Sequence, residues 1–289
     1  MKSAEPAIEP HQSAVLRHPV AAFFLMTFVI SWFGAFLVAA PHLIHREPLP
    51  NLTGILMFPA MLVGPPLSGI ALTRIVGGQI ALRDLVARTV RWRFPLRWYA
   101  SLLIPPALIL FVLLLLTRFV SPAYAPNRFL AGILFGVPAG LLEEIGWTGY
   151  AFPALRKFRG PLSASVALGL LWSLWHLPVI NFLGTATPHG SYWLPFFLAF
   201  SFAMTAMRVL ICWMYSHTGS VLLAQLMHTS STGSLVIFSA AHVAPRQEVF
   251  WYTIYGIALW VAVGLLVRRM LPGGGGLKAE HRSRTGLHL

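Results

Sequence analysis

Glu143 and Glu144 stand side by side in FLAGILFGVPAGLLEEIGWTGYAF, an otherwise almost wholly apolar stretch of a chain with only eight acidic residues. A carboxylate at helix-centre depth in a bilayer costs roughly 2.5–3.5 kcal/mol on insertion scales. Two adjacent ones call for partners and for a protein interior or a wet cavity. Two further polar stations follow in apolar surroundings: Trp172-Ser-Leu-Trp175-His176-Leu-Pro178, and Gln225-Leu-Met-His228-Thr229-Ser230-Ser231-Thr232. A Glu and a His can polarise a water, directly or through a metal. A second His and a hydroxyl can donate to a developing oxyanion. Together these residues make an inventory for amide hydrolysis without a Ser or Cys nucleophile. Neither an H-E-x-x-H helix nor a G-x-S-x-G elbow is present.

The elements that must position them are membrane helices. Hydrophobic residues make up 57% of the 289 and charged residues 10%, and the mean hydropathy is +0.71. Apolar runs of about 20 residues suit bilayer-spanning helices. They fall at 20–41, 53–75, 98–117, 129–150, 162–182, 193–215, 220–241 and 249–270. The expected fold is therefore all-α and polytopic, about eight transmembrane helices enclosing an intramembrane polar cavity. Residues 1–19 read as an N-terminal tail, 20–270 as one helical domain and 271–289, with its Gly run, as a C-terminal tail.

Residues four apart share a helix face. This pairs Glu143 with Trp147, Glu144 with Thr148, Trp172 with His176, and His228 with Thr232. Adjacent Glu143 and Glu144 diverge by about 100° around the axis, so one can face a cavity while the other holds a neighbouring helix. Each residue also has a plainer reading: a lone membrane His is more often structural, and Trp more often packs or anchors at the interface. The co-occurrence on three spans favours chemistry. Arg208 in the sixth span can pair with a Glu or snorkel.

The net charge of +13 points to topology rather than to nucleic acid. Arg83, Arg88, Arg91, Arg93 and Arg97, then Arg156, Lys157 and Arg159, then Arg268, Arg269, Lys278, Arg282 and Arg284 all fall on one side of an eight-span plan, with Lys2 and Arg17. The positive-inside rule puts that side, and both termini, in the cytoplasm. The segment 76–97 reads as an interfacial amphipathic helix or an ordinary basic loop. Pro65-Pro66 and Pro105-Pro106 interrupt the second and third spans. The single cysteine, Cys212, excludes an intrachain disulfide and a Cys-based zinc site.

The motifs resemble those of the type II CAAX prenyl endopeptidases and the related bacteriocin-self-immunity proteins, a group of intramembrane proteases. That family shows E-E-x-x-W-R, where this chain has Glu143-Glu144-Ile145-Gly146-Trp147-Thr148. It shows an aromatic four residues before a His, here Trp172 and His176, and H-x-x-x-N or D, here His228 and Thr232. The resemblance covers about residues 130–240. It implies a multi-pass endopeptidase of a bacterial plasma membrane that acts on a membrane-associated peptide or protein, lipid-modified in the CAAX case. It implies that Glu143 and His176 activate water, that His228 and Thr232 stabilise the oxyanion, and that Glu144 supports the site. It also implies a divalent metal such as zinc as an option, with Glu143, His176 and His228 as ligands. Thr148 stands where the family has Arg, and Thr232 where it has Asn. A catalytically weak immunity or scaffold protein and a proton-coupled transporter are the competing classes.

Overall fold

The computed structural model describes residues 14–183, 189–240 and 243–267, and those residues form helices and their connections without a strand. The expected N- and C-terminal tails therefore lie mostly or wholly outside the described residues. Ten helices carry the architecture: α1 (Pro19–His45), α2 (Asn51–Leu62), α3 (Gly64–Thr89), α4 (Ile104–Phe119), α5 (Ile133–Gly146), α6 (Pro161–Trp175), α7 (Leu177–Leu183), α8 (Trp193–Thr218), α9 (Val221–Phe238) and α10 (Pro245–Val267). Seven helical stretches among the described residues are long and apolar enough to cross a membrane, and Pro161–Trp175 is a shorter apolar helix. The expected fifth span is that shorter helix together with α7, so the plan of about eight holds.

The inside-out pattern of α1 shows why the bilayer is the solvent. Phe23, Thr27, Ser31, Ala35 and Ala39 are buried at i, i+4 spacing, while Leu25, Val29, Phe33 and Leu37 on the opposite face are exposed. Apart from Phe23, small and polar groups pack inward and large apolar ones face outward, as in lipid-facing helices.

Proline and glycine set the breaks. Pro65 and Pro66 open α3 and Pro105 and Pro106 open α4, each in a first turn where a missing N–H costs nothing. Gly78, at φ 67°, is non-helical inside α3. The chain turns there and residues 79–89 continue as a helix, with Leu85 buried and Ile80, Arg83 and Val86 exposed. The segment 76–97 is thus helical from 79 as far as Thr89, and residues 91–95 are irregular. Gly219, at φ 61°, ends α8, and Ser220 caps α9 by accepting the Leu223 N–H at 3.1 Å. The Ser220 hydroxyl donates to the Arg91 carbonyl at 2.7 Å and ties this turn to the basic loop.

The glutamate helix α5 is held between α3 and α9 by backbone contact. A Cβ on Gly146 would lie 2.3 Å from the Pro65 carbonyl oxygen, and one on Gly136 would lie 2.6 Å from Gly233. Beside these, Gln225 donates its amide N–H to the Leu141 carbonyl at 2.6 Å. Leu141 and Gln225 each stand three residues before a site residue, Glu144 and His228. That bond sets the register between their helices.

Candidate active site

Glu143 and Glu144 sit in the last turn of α5, 1% and 0% exposed. Directly beyond them Trp147–Ala151 forms a π-helical turn, a rare geometry that recurs at functional sites. The expected i, i+4 pairs are present. Trp147 donates its indole N–H to Glu143 Oε2 at 3.2 Å, and the Thr148 hydroxyl donates to Glu144 Oε2.

The carboxylates then diverge in their long-range partners. Glu143 Oε2 also accepts the indole N–H of Trp172 from α6, at 2.8 Å. Glu144 meets a cation: Arg208 Nη1, from α8, lies 2.7 Å from Oε1 and 2.8 Å from Oε2. His228 Nδ1, from α9, donates to Glu144 Oε1 at 2.7 Å. A carboxylate beside a guanidinium is ionised and can only accept, so the Nδ1 of His228 carries the proton.

His176 ends α6 because of Pro178. Proline has no N–H, so the Leu174 carbonyl loses its i+4 donor. The His176 N–H turns to Ser173 O, at 3.2 Å, instead of Trp172 O. The freed Trp172 carbonyl accepts from His176 Nδ1 at 2.7 Å. A carbonyl cannot donate, so Nδ1 holds the proton and the neutral ring keeps its lone pair on Nε2. The continuous fifth span expected at 162–182 is thus broken at its functional residue. Trp32 of α1 donates its indole N–H to the Trp175 carbonyl at the break, at 3.1 Å.

Trp172 is the hub. Its ring lies 5.0 Å from the His176 ring and 5.1 Å from the His228 ring, edge to face. The Arg208 guanidinium sits 4.1 Å over its face. One indole therefore touches both histidines, the arginine and Glu143. Its sequence reading as a packing residue missed this, because spacing does not show where an indole N–H points. Arg208 was visible as an intramembrane charge, but its partner lies 64 residues away.

Glu143, Glu144, His176 and His228 are thus brought together. Thr232 is half-buried one turn beyond His228 and stands outside this network. The polar interior is a closed, hydrogen-bonded cluster, with only His176 half-buried at its edge. No group of three or more His, Cys, Asp or Glu among the described residues is arranged to hold a metal ion. Glu143 engages Oε2, and His176 and His228 engage Nδ1, in hydrogen bonds to other groups, which leaves Nε2 of each histidine outside those bonds.

Residues 125–234 match the model of the family described as type II CAAX prenyl endopeptidase Rce1-like. Every member of the cluster lies within the matched residues, Arg208 included. Over 226 residues the chain is 28% identical to CAAX prenyl protease 2 of Methanococcus maripaludis, spanning 71% of this chain and 80% of that relative. This alignment extends well beyond residues 125–234, so the likeness includes helices that frame the site.

Proposed function

We propose that this chain is a CAAX-type intramembrane endopeptidase that hydrolyses a peptide bond with a water activated by Glu143. The observation that carries the reading is the division of labour between the paired glutamates. Glu144 is neutralised by Arg208 and fixed by His228 and Thr148. Glu143 has only indole N–H groups on Oε2, which orient the carboxylate without a neighbouring hydrogen-bonded cation. One glutamate is committed to structure and the other is left free of a hydrogen-bonded cation.

In the proposed reaction Glu143 takes a proton from water as its oxygen bonds to the scissile carbonyl carbon. The carbonyl π pair moves onto oxygen. The tetrahedral adduct collapses, the C–N bond breaks, and the proton held on Glu143 passes to the leaving amine. His176, with its lone pair on Nε2, stands at the half-buried edge to share the water proton. His228 is oriented by Glu144 through Nδ1. No step is routed through a metal. The polar groups converge on one indole instead of stringing across the bilayer, which favours hydrolysis over a proton relay.

The substrate class that fits is a prenylated protein or peptide held in the membrane, by analogy with the named relative. The basic loops support both termini in the cytoplasm. The test is cleavage of a farnesylated peptide by the purified chain in lipid nanodiscs, read by mass spectrometry. Cleavage by wild type and none by Glu143→Gln is the expected result. Equal cleavage by both would remove Glu143 as the base.

A further inference from the structure

The Arg208 side chain is 0% exposed, and only one of its nitrogens, Nη1, is spent on Glu144. Nε and Nη2 have no acceptor among the described residues. These two nitrogens form one edge of the planar guanidinium, the two-donor fork that matches a pair of oxygens or one anionic oxygen. Buried donors left unmade are costly, and charged ones more so. The guanidinium lies over Trp172, whose indole N–H holds Glu143. The guanidinium therefore sits one aromatic ring away from the proposed base. His228 is committed through Nδ1 to Glu144, and Thr232 stands outside the network. The oxyanion donors expected from the sequence are correspondingly thin.

We propose that the unpaired Nε/Nη2 edge of Arg208 is the anion seat of the site and receives an anionic oxygen of the bound peptide. The chemistry is that of a carbon-bound anionic oxygen. It arises either on the scissile carbonyl as water adds or at a free chain-end carboxylate of the substrate. The peptide reaches the edge from the His176 side, where the cluster is half-buried and the same indole spans both residues. The proposal rests on the endopeptidase reading above.

Arg208→Lys separates the two jobs of the residue. Lysine keeps a positive charge for Glu144 but has no planar fork. The full chain in nanodiscs is assayed on a farnesylated peptide ending in a free carboxylate and on its carboxamide twin. If the edge receives the oxyanion, Arg208→Lys lowers kcat about 10²–10³-fold on both peptides, the usual loss for one oxyanion donor, with KM little changed. If it receives the chain end, Arg208→Lys raises KM for the carboxylate peptide alone, and wild type shows the same penalty for the carboxamide. Rates and KM within threefold of wild type on both peptides, in a folded variant, overturn the proposal.

Should Arg208→Lys fail to fold, wild type alone decides. A phosphonate peptide, with an anionic tetrahedral oxygen, and the carboxylate peptide are each compared in binding with the neutral carboxamide. Tighter binding of either anion by at least tenfold supports the seat, and equal binding of all three overturns it. This binding arm stands even if wild type cleaves nothing, an outcome that would sink the endopeptidase reading instead.

Discussion

Arg208 reaches Glu144 through a single nitrogen that lies within 2.8 Å of both carboxylate oxygens. The cation comes from α8, whereas the family motif carries an arginine on the glutamate helix itself, at the position Thr148 fills here. The hydroxyl of Thr148 still donates to the same carboxylate. The charge needed beside Glu144 is therefore present, on another helix.

This pair predicts strong coupling in stability. Arg208→Met leaves a buried carboxylate without its cation and should cost about 3–5 kcal/mol. The double variant Glu144→Gln with Arg208→Met removes both charges and should cost less than the sum of the two singles by at least about 1 kcal/mol. Denaturant unfolding in detergent measures the cycle. Strict additivity would mean that the contact carries no energy.

Trp172→Phe keeps an aromatic face for Arg208 and edges for the histidines but removes the N–H held by Glu143. A hydrogen bond to a charged group is worth about 1.5–3 kcal/mol, so stability should fall by about that much and kcat by about 10–100-fold. Turnover of the farnesylated peptide checks this. An unchanged rate would return Trp172 to a packing role.

Much of this site was legible from periodicity. The pairs Glu143–Trp147, Glu144–Thr148 and Trp172–His176 follow from i, i+4 spacing on single helices, and all three are hydrogen-bonded. Contacts between helices were not legible, because spacing within a helix says nothing of its rotation against a neighbour. Arg208 on Glu144 and Trp172 on Glu143 belong to that class. The break at His176 was written in Pro178 but hidden by the length of the apolar run around it. His228 and Thr232 share a helical face, yet only His228 is hydrogen-bonded to Glu144.

Thr232→Val should leave kcat within about tenfold of wild type, well short of the about 10²–10³ lost with an oxyanion donor. The reason is its place outside the hydrogen-bonded cluster. Single-turnover kinetics on the same peptide would expose a larger loss and restore Thr232 to the mechanism.

Gly146→Ala should destabilise by about 1–3 kcal/mol, the range for overpacking, because its Cβ would meet the Pro65 carbonyl at 2.3 Å. Gly264→Ala on α10 is the control, since nothing lies within 4 Å of the added carbon. Relief of the glycine entropy cost should stabilise it by about 0.5–1 kcal/mol. Unfolding midpoints of the two variants should therefore move in opposite directions.

The two glycine seams on either side of α5 carry a consequence for how this sequence can drift. At Gly136 and Gly146 any side chain at all is a collision with a neighbouring backbone. Backbone cannot be repacked by a second substitution as a side chain can. The most frozen positions flanking the glutamates should therefore be ones with no chemistry of their own. A saturation library of this chain, sorted on fold alone, would draw the outline of the active site in missing methyl groups.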